Sequence, residues 1–145
     1  MRKIALLCIG FLVVAGMTVA QGPQPSFQPV GTMSQLMVDI IHPASNDILL
    51  FINRGAPKDD KEWNALQHSA MVLAESGNLL MMPGRARDQG DWIKDAKLLV
   101  DAGAAVYKAA RAKDANALRA TGEQLDASCL TCHKQYRPNV FPSSK

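Results

Sequence analysis

Apolar residues return every three or four positions through most of the chain beyond residue 32, and this periodicity restricts the fold more than any other feature. The clearest stripe advances by three and four residues in turn: Trp63, Leu66, Ala70, Leu73, Gly77 and Leu80. This spacing keeps apolar side chains on one face of a helix. No stretch alternates apolar and polar residues as a half-buried strand would. The sequence therefore predicts an all-α protein.

Four such segments follow one another along the chain. Their expected starts or N-terminal caps are Thr32, Asp59, Asp91 and Asp114. Pro43 interrupts the first segment, and a kink is expected near residues 41–42 because the apolar stripe resumes beyond it. Helices of about twenty residues with short connections favour an antiparallel up-down-up-down four-helix bundle.

The first twenty residues have the layout of a secretory signal peptide. Met1, Arg2 and Lys3 form a short basic start, residues 4–17 are an uninterrupted apolar run, and small residues precede a cleavage point after Ala20. The alternative is an uncleaved membrane anchor, since the apolar segment reaches the lower edge of the spanning length. Export to the periplasm, or otherwise out of the cytoplasm, is the expectation.

The remaining chain divides into three parts. Residues 21–31 are rich in proline, glutamine and glycine and are predicted to form a flexible tether. Residues 32–140 contain the helical segments and form one predicted bundle domain. Residues 141–145 are a short C-terminal tail.

The charge of the chain gives little support to nucleic-acid binding. The chain has 145 residues, of which 16 are basic and 13 acidic, and its formal net charge is +3. Loss of Arg2 and Lys3 with a signal peptide would leave 14 basic and 13 acidic residues, a charge of +1. The sequence has no run of lysine or arginine and no basic face interleaved with aromatic residues.

The residues best suited to bind a metal or cofactor lie near the end of the chain. Cleavage of the signal would remove Cys8 and leave Cys129 and Cys132, and His133 directly follows the second. A structural zinc site needs four ligands, and adjacent Cys132 and His133 point in different directions from a helix. A redox dithiol usually begins a helix after a strand, whereas these cysteines lie deep in the last helical segment. Both hypotheses are therefore disfavoured.

Covalent haem attachment fits the spacing of these residues. The order C-x-x-C-H is the attachment signal of c-type haem. On a helix, Cys129 lies on the same face as Cys132, three residues on, and as His133, four residues on. The cysteines are thus predicted to form thioethers with one haem c, and the imidazole to reach its iron. The predicted export is consistent with haem c, because haem is attached to c-type proteins outside the cytoplasm.

The position of the motif narrows the hypothesis further. The stretch "CLTCHKQYR" lies near the end of a predicted four-helix bundle and resembles the class II cytochromes c, the cytochrome c′ family, over residues 32–137. The resemblance implies that His133 is the proximal iron ligand and that Arg137 lies against the proximal face of the haem; the alternative for Arg137 is a cation that stabilises the helix C-terminus. Tyr136 is a further candidate for haem contact, with core packing as the favoured alternative. Homodimers through the first two helices, which are common in that family, are carried over as an expectation only.

The resemblance also places the first helix over the open face of the haem. There Met37 is the predicted distal ligand, and Met33, one turn earlier, is the weaker candidate. A His/Met pair of ligands raises the reduction potential and suits electron transfer to an unidentified redox partner protein. If no side chain reaches the iron, the alternative is a five-coordinate haem protein that binds NO or CO.

An enzymatic function is not predicted. The sequence has no nucleophile–base constellation and no cluster of paired carboxylates, and its acidic residues fall on expected solvated helix faces. The remaining alternative without haem is an exported helical protein that binds a metal or acts as an adaptor.

Overall fold

The structure is a computed structural model that describes residues 27–140. Helices account for 75% of it, and no strand occurs within the described range, which confirms the predicted all-α class. The predicted signal peptide, most of the tether and the C-terminal tail lie outside the described residues.

Four helices form the bundle. Helix α1 covers residues 33–53, α2 is Asp60–Leu80, α3 is Asp91–Ala112 and α4 covers residues 115–136. The most extensive packing joins α2 to α3, and the end of α4 packs mainly on α3. The most deeply buried apolar side chains come from all four helices: Ile48, Leu66, Leu73, Val106, Leu118 and Leu125.

Helix α1 passes through Pro43 by widening its turn. It comprises an α-helical turn, Met33–Gln35, a π-helical stretch, Leu36–Ile41, and an α-helix, His42–Asn53. The backbone N–H of His42 donates to the carbonyl of Met37, five residues earlier. A proline ring clashes with the carbonyl four residues before it in an α-helix, and a wider turn relieves that clash. The helix therefore continues beyond Pro43, as the resumed apolar stripe predicted.

Helix starts follow the predicted capping residues. The Thr32 hydroxyl accepts from the Gln35 N–H at 3.2 Å, and the Gln35 side chain accepts from the Thr32 N–H at 3.0 Å, which completes a capping box. Asp59 accepts from the N–H of Glu62 at 2.9 Å. These bonds satisfy backbone donors that the first turn of a helix leaves unpaired.

Two glycines allow α2 and α3 to approach closely. A Cβ atom built on Gly103 would lie 2.6 Å from the backbone nitrogen of Ala74, and one built on Gly77 would lie 2.9 Å from the Ala96 carbonyl oxygen. Both distances are shorter than any ordinary contact. The backbones of the two helices thus touch where side chains would otherwise separate them.

The sequence predicted one uninterrupted helix for α4, but the structure divides it into two stretches. Ala115–Ala120 begins at Asp114, whose carboxylate accepts from the N–H groups of Asn116 and Ala117 at 2.9 Å each. The chain then turns at Thr121, whose hydroxyl donates to the Leu118 carbonyl at 2.7 Å, and continues as Gly122–Tyr136. The second part carries the cysteines.

Gly103→Ala tests the close approach of α2 and α3. The substitution should destabilise the protein by about 1–3 kcal/mol, because overpacking against the Ala74 backbone outweighs the better helix propensity of alanine. Gly122→Ala is the matched control, since its Cβ would meet only Ile52 Cγ2 at 3.7 Å. Urea unfolding followed by circular dichroism measures both, and a Gly103→Ala protein as stable as the control would contradict the packing described.

Candidate functional site

One concave region lies where α1 begins, α3 begins and α4 ends. An outer cavity of about 460 Å³ is lined by Met33 and Met37 from α1, by Trp92 from α3 and by the last turns of α4. A smaller inner cavity of about 30 Å³ lies deeper in the bundle and is lined by Met37, Asp95 and both cysteines, among others. Three side chains line both cavities: Met37, Cys132 and His133.

The structure brings together all of the site residues predicted from the sequence. Cys129 lines the inner cavity, whereas Met33, Tyr136 and Arg137 line the outer one. The two candidate methionines are therefore not equivalent, because only Met37 reaches the inner cavity that both cysteines line. This difference favours Met37 over Met33 as the side chain closest to the cysteine motif.

Both cysteine thiols are free and partly buried. Burial raises the pKa of Cys129, and burial together with the nearby Asp95 carboxylate raises the pKa of Cys132 to about 11. At neutral pH the thiols are accordingly protonated and uncharged. Cysteines that exchange disulfides usually have a lowered pKa, because the thiolate is the reactive species. The geometry therefore gives no support to a redox dithiol.

A zinc site finds no support either. Within residues 27–140, no group of three or more histidine, cysteine or acidic side chains is arranged to hold a metal ion. Cys129, Cys132 and His133 thus lack a fourth protein ligand of the kind that structural zinc requires.

His133 is poised as a neutral imidazole. Burial is the main cause that lowers its pKa, and the adjacent Arg137 guanidinium lowers it further. A neutral imidazole retains the nitrogen lone pair that a metal ion needs, whereas an imidazolium does not.

A cluster around Tyr136 fixes the end of α4. Its hydroxyl donates to the Asp88 carboxylate, and its ring meets Trp92 edge-to-face with centroids 4.9 Å apart. Trp92 in turn donates its indole N–H to the Leu80 carbonyl at 2.8 Å. The sequence favours core packing for Tyr136 over contact with a bound group, and the ring contact with Trp92 agrees with core packing. No signal in the sequence indicates the bond to Asp88.

Two charged residues at the site were missed from the sequence. Arg87 lies in the loop before α3, lines the outer cavity and places its guanidinium 5.8 Å from the centre of the Trp92 ring. Asp95 lies on the buried face of α3 and lines the inner cavity. Its spacing from Trp92 and Leu99 put a carboxylate on an apolar stripe, which was a usable signal. Arg87 had none, since it belongs to an irregular loop.

Comparisons with protein-family models, with curated proteins and with solved structures found no match to this chain.

The bond between Tyr136 and Asp88 predicts an unusual titration. Because Asp88 accepts its hydrogen bond and is itself negative, the pKa of Tyr136 is raised well above its ordinary value of about 10. Asp88→Asn should lower the pKa of Tyr136 back toward that value. A ¹³C-tyrosine NMR titration in a Tyr107→Phe background reports Tyr136 alone.

Asp91→Asn is the control for that titration. Asp91 raises the pKa of Tyr136 less than Asp88 does and accepts no hydrogen bond from its hydroxyl. Equal shifts in the two variants would mean that the hydroxyl of Tyr136 bonds elsewhere.

Proposed function

We propose that this protein is an exported monohaem c-type cytochrome that transfers electrons. Cys129 and Cys132 attach the haem covalently, His133 is the proximal ligand of its iron and Met37 the distal ligand. The proposal extends the resemblance of the C-terminal motif to the class II cytochromes c.

One observation carries the proposal. Met37, from α1, and His133, from α4, line the same pair of cavities together with Cys132. The two side chains are 96 positions apart in sequence, and a thioether and a neutral imidazole are the ligand pair of electron-transferring c-type haem. The outer cavity, at about 460 Å³, is also within the range of small-molecule and cofactor sites.

The chemistry of the cysteines fits the attached group. Thioether formation consumes both thiols, so it needs two accessible sulfurs about one helical turn apart. It also needs both thiols to be free of other bonds. Cys129 and Cys132 are free, partly buried and on one helix.

The remaining residues of the site would hold and tune the group. When bound, haem supplies one-electron redox chemistry. The Met37 thioether favours the reduced state and so raises the potential. Arg87 and Arg137 line the outer cavity, where guanidinium groups can pair with the haem carboxylates. The hydrogen bond from Tyr136 to Asp88 holds the end of α4 in place. A rigid site keeps the structural reorganisation on electron transfer small.

Export is part of the proposal, since haem attachment to c-type proteins takes place outside the cytoplasm. The N-terminal signal that supports it lies beyond the described residues. Across residues 27–140, no helix is long and apolar enough to cross a membrane.

Haem content is the first test. The protein, produced in a host that matures c-type cytochromes, should give a pyridine haemochrome spectrum with two thioethers and one haem per chain. Cys129→Ser or Cys132→Ser should each shift that spectrum to the single-thioether form. A colourless wild-type protein with two reactive thiols would contradict the proposal and favour the metal-binding or adaptor alternative.

Met37→Ala tests the distal ligand. The wild-type protein should be low-spin in both redox states and bind CO slowly, because CO must displace the thioether. The variant should become high-spin when reduced, bind CO at once and have a lower reduction potential. Optical spectra and potentiometry measure these changes.

Met33→Ala is the matched control, since Met33 lines the outer cavity only. It should leave the spin state and the rate of CO binding unchanged. A wild-type protein that is already high-spin and binds CO promptly would indicate instead the five-coordinate haem protein that binds NO or CO.

A further inference from the structure

Asp95 is a buried carboxylate without a donor for one of its oxygens. Its exposed fraction is 6%, and it lies on the face of α3 that carries Trp92, Ala96 and Leu99. Oδ2 is fully buried, and no group among the described residues donates a hydrogen bond to it. Burial of a carboxylate without hydrogen bonds is costly, so such a group calls for an explanation.

The charges around Asp95 do not supply a partner. Lys94, the adjacent residue, pairs instead with Asp91 at 2.9 Å. Burial raises the pKa of Asp95, the negative Asp91 and Asp88 raise it further, and Lys94 opposes them with a smaller effect. The contributions of α1 and α2 to the inner cavity are apolar: Met37, Ile41 and Leu80.

The inner cavity itself narrows the choice of donor. Besides Asp95, its polar lining comes from α4 alone: Ser128, Cys129, Cys132 and His133. The Ser128 hydroxyl donates to the Leu125 carbonyl at 2.7 Å. Both thiols lose their protons when they become thioethers. His133 is the one side chain lining this cavity that carries nitrogen donors.

A histidine that binds a metal almost always donates its other ring N–H to a carboxylate, a backbone carbonyl or water. We infer, on the basis of the proposed haem ligation, that the Asp95 carboxylate accepts this hydrogen bond from His133. Asp95 is then a positioning residue: it fixes the orientation of the imidazole and increases its basicity. A more basic proximal ligand stabilises ferric iron, so Asp95 lowers the reduction potential that Met37 raises.

The test compares Asp95→Asn with Asp101→Asn in the mature haem protein. Asp101 lies on the same helix but is exposed and pairs with Lys97 at 2.9 Å, so it controls for the substitution itself. Asp95→Asn should increase the equilibrium constant for reduction roughly tenfold, which is 59 mV for one electron. Asp101→Asn should leave the midpoint potential at the wild-type value.

A vibrational measurement separates the hydrogen bond from the charge of the carboxylate. In a Met37→Ala background the reduced iron is five-coordinate, and resonance Raman spectroscopy detects its bond to the histidine. Asp95→Asn should lower that stretching frequency. An amide oxygen is a weaker hydrogen-bond acceptor than a carboxylate, so the imidazole becomes less basic and its bond to the iron weaker. A raised potential with an unchanged frequency would show that Asp95 acts by charge alone, and would overturn the inference.

NMR of the unsubstituted protein gives an answer that does not depend on the folding of any variant. The ¹⁵N-labelled imidazole of His133 should show a slowly exchanging N–H proton, displaced downfield. Rapid exchange of that proton with water would overturn the inference while leaving the proposed function intact. Absence of haem from the wild-type protein in the haemochrome assay would instead defeat the proposed function, so the two failures are distinguishable.

Discussion

The geometry of the site depends on one cluster of contacts at the junction of α2, α3 and α4. Trp92 is its centre: the indole N–H bonds to the Leu80 carbonyl at the end of α2, and the ring packs against Tyr136 near the end of α4. Asp88 completes the cluster, because its carboxylate accepts from the backbone N–H groups of Gly90 and Trp92 as well as from the Tyr136 hydroxyl. The start of α3 and the end of α4 are thereby held together, and Cys132 and His133 face α1.

Much of this fold could be predicted because its determinants are local. Apolar spacing and capping residues depend on neighbours within one or two turns, and they indicated four helices and the cap at Thr32 correctly. The π-helical stretch before Pro43 could not be predicted, since a proline in the sequence does not specify how the helix relieves its steric clash. The break at Thr121 was missed because threonine is tolerated within helices, and its bond to the Leu118 carbonyl is seen only in the structure.

The residues of the candidate site likewise differ in whether local sequence or long-range packing determines them. Cys129, Cys132 and His133 form a motif within five consecutive residues, so the sequence alone identified them. Met37 was singled out only through a family resemblance, and its approach to the motif depends on how α1 packs across the bundle. Asp95 has the same helical spacing as the apolar residues Trp92 and Leu99, but whether its side chain is buried depends on the rotation of α3 about its axis. Arg87 belongs to a loop whose course is set by Asp88 and Trp92.

Taken together, the charges of the site suggest a link between the cofactor and the stability of the fold. A buried carboxylate such as Asp95 is unfavourable without a hydrogen-bond donor, and the nearest cation along its helix, Lys94, is paired with Asp91 and offsets the charge of Asp95 only in part. On the proposed function, ferric haem would bring a positively charged iron and a polarised imidazole N–H beside this carboxylate. The unfavourable charge would then be offset more fully in the assembled protein. If His133 binds the iron and donates its other N–H to Asp95, ligation would hold the imidazole toward the buried acid, and the polypeptide would reach its full stability on attachment of the haem.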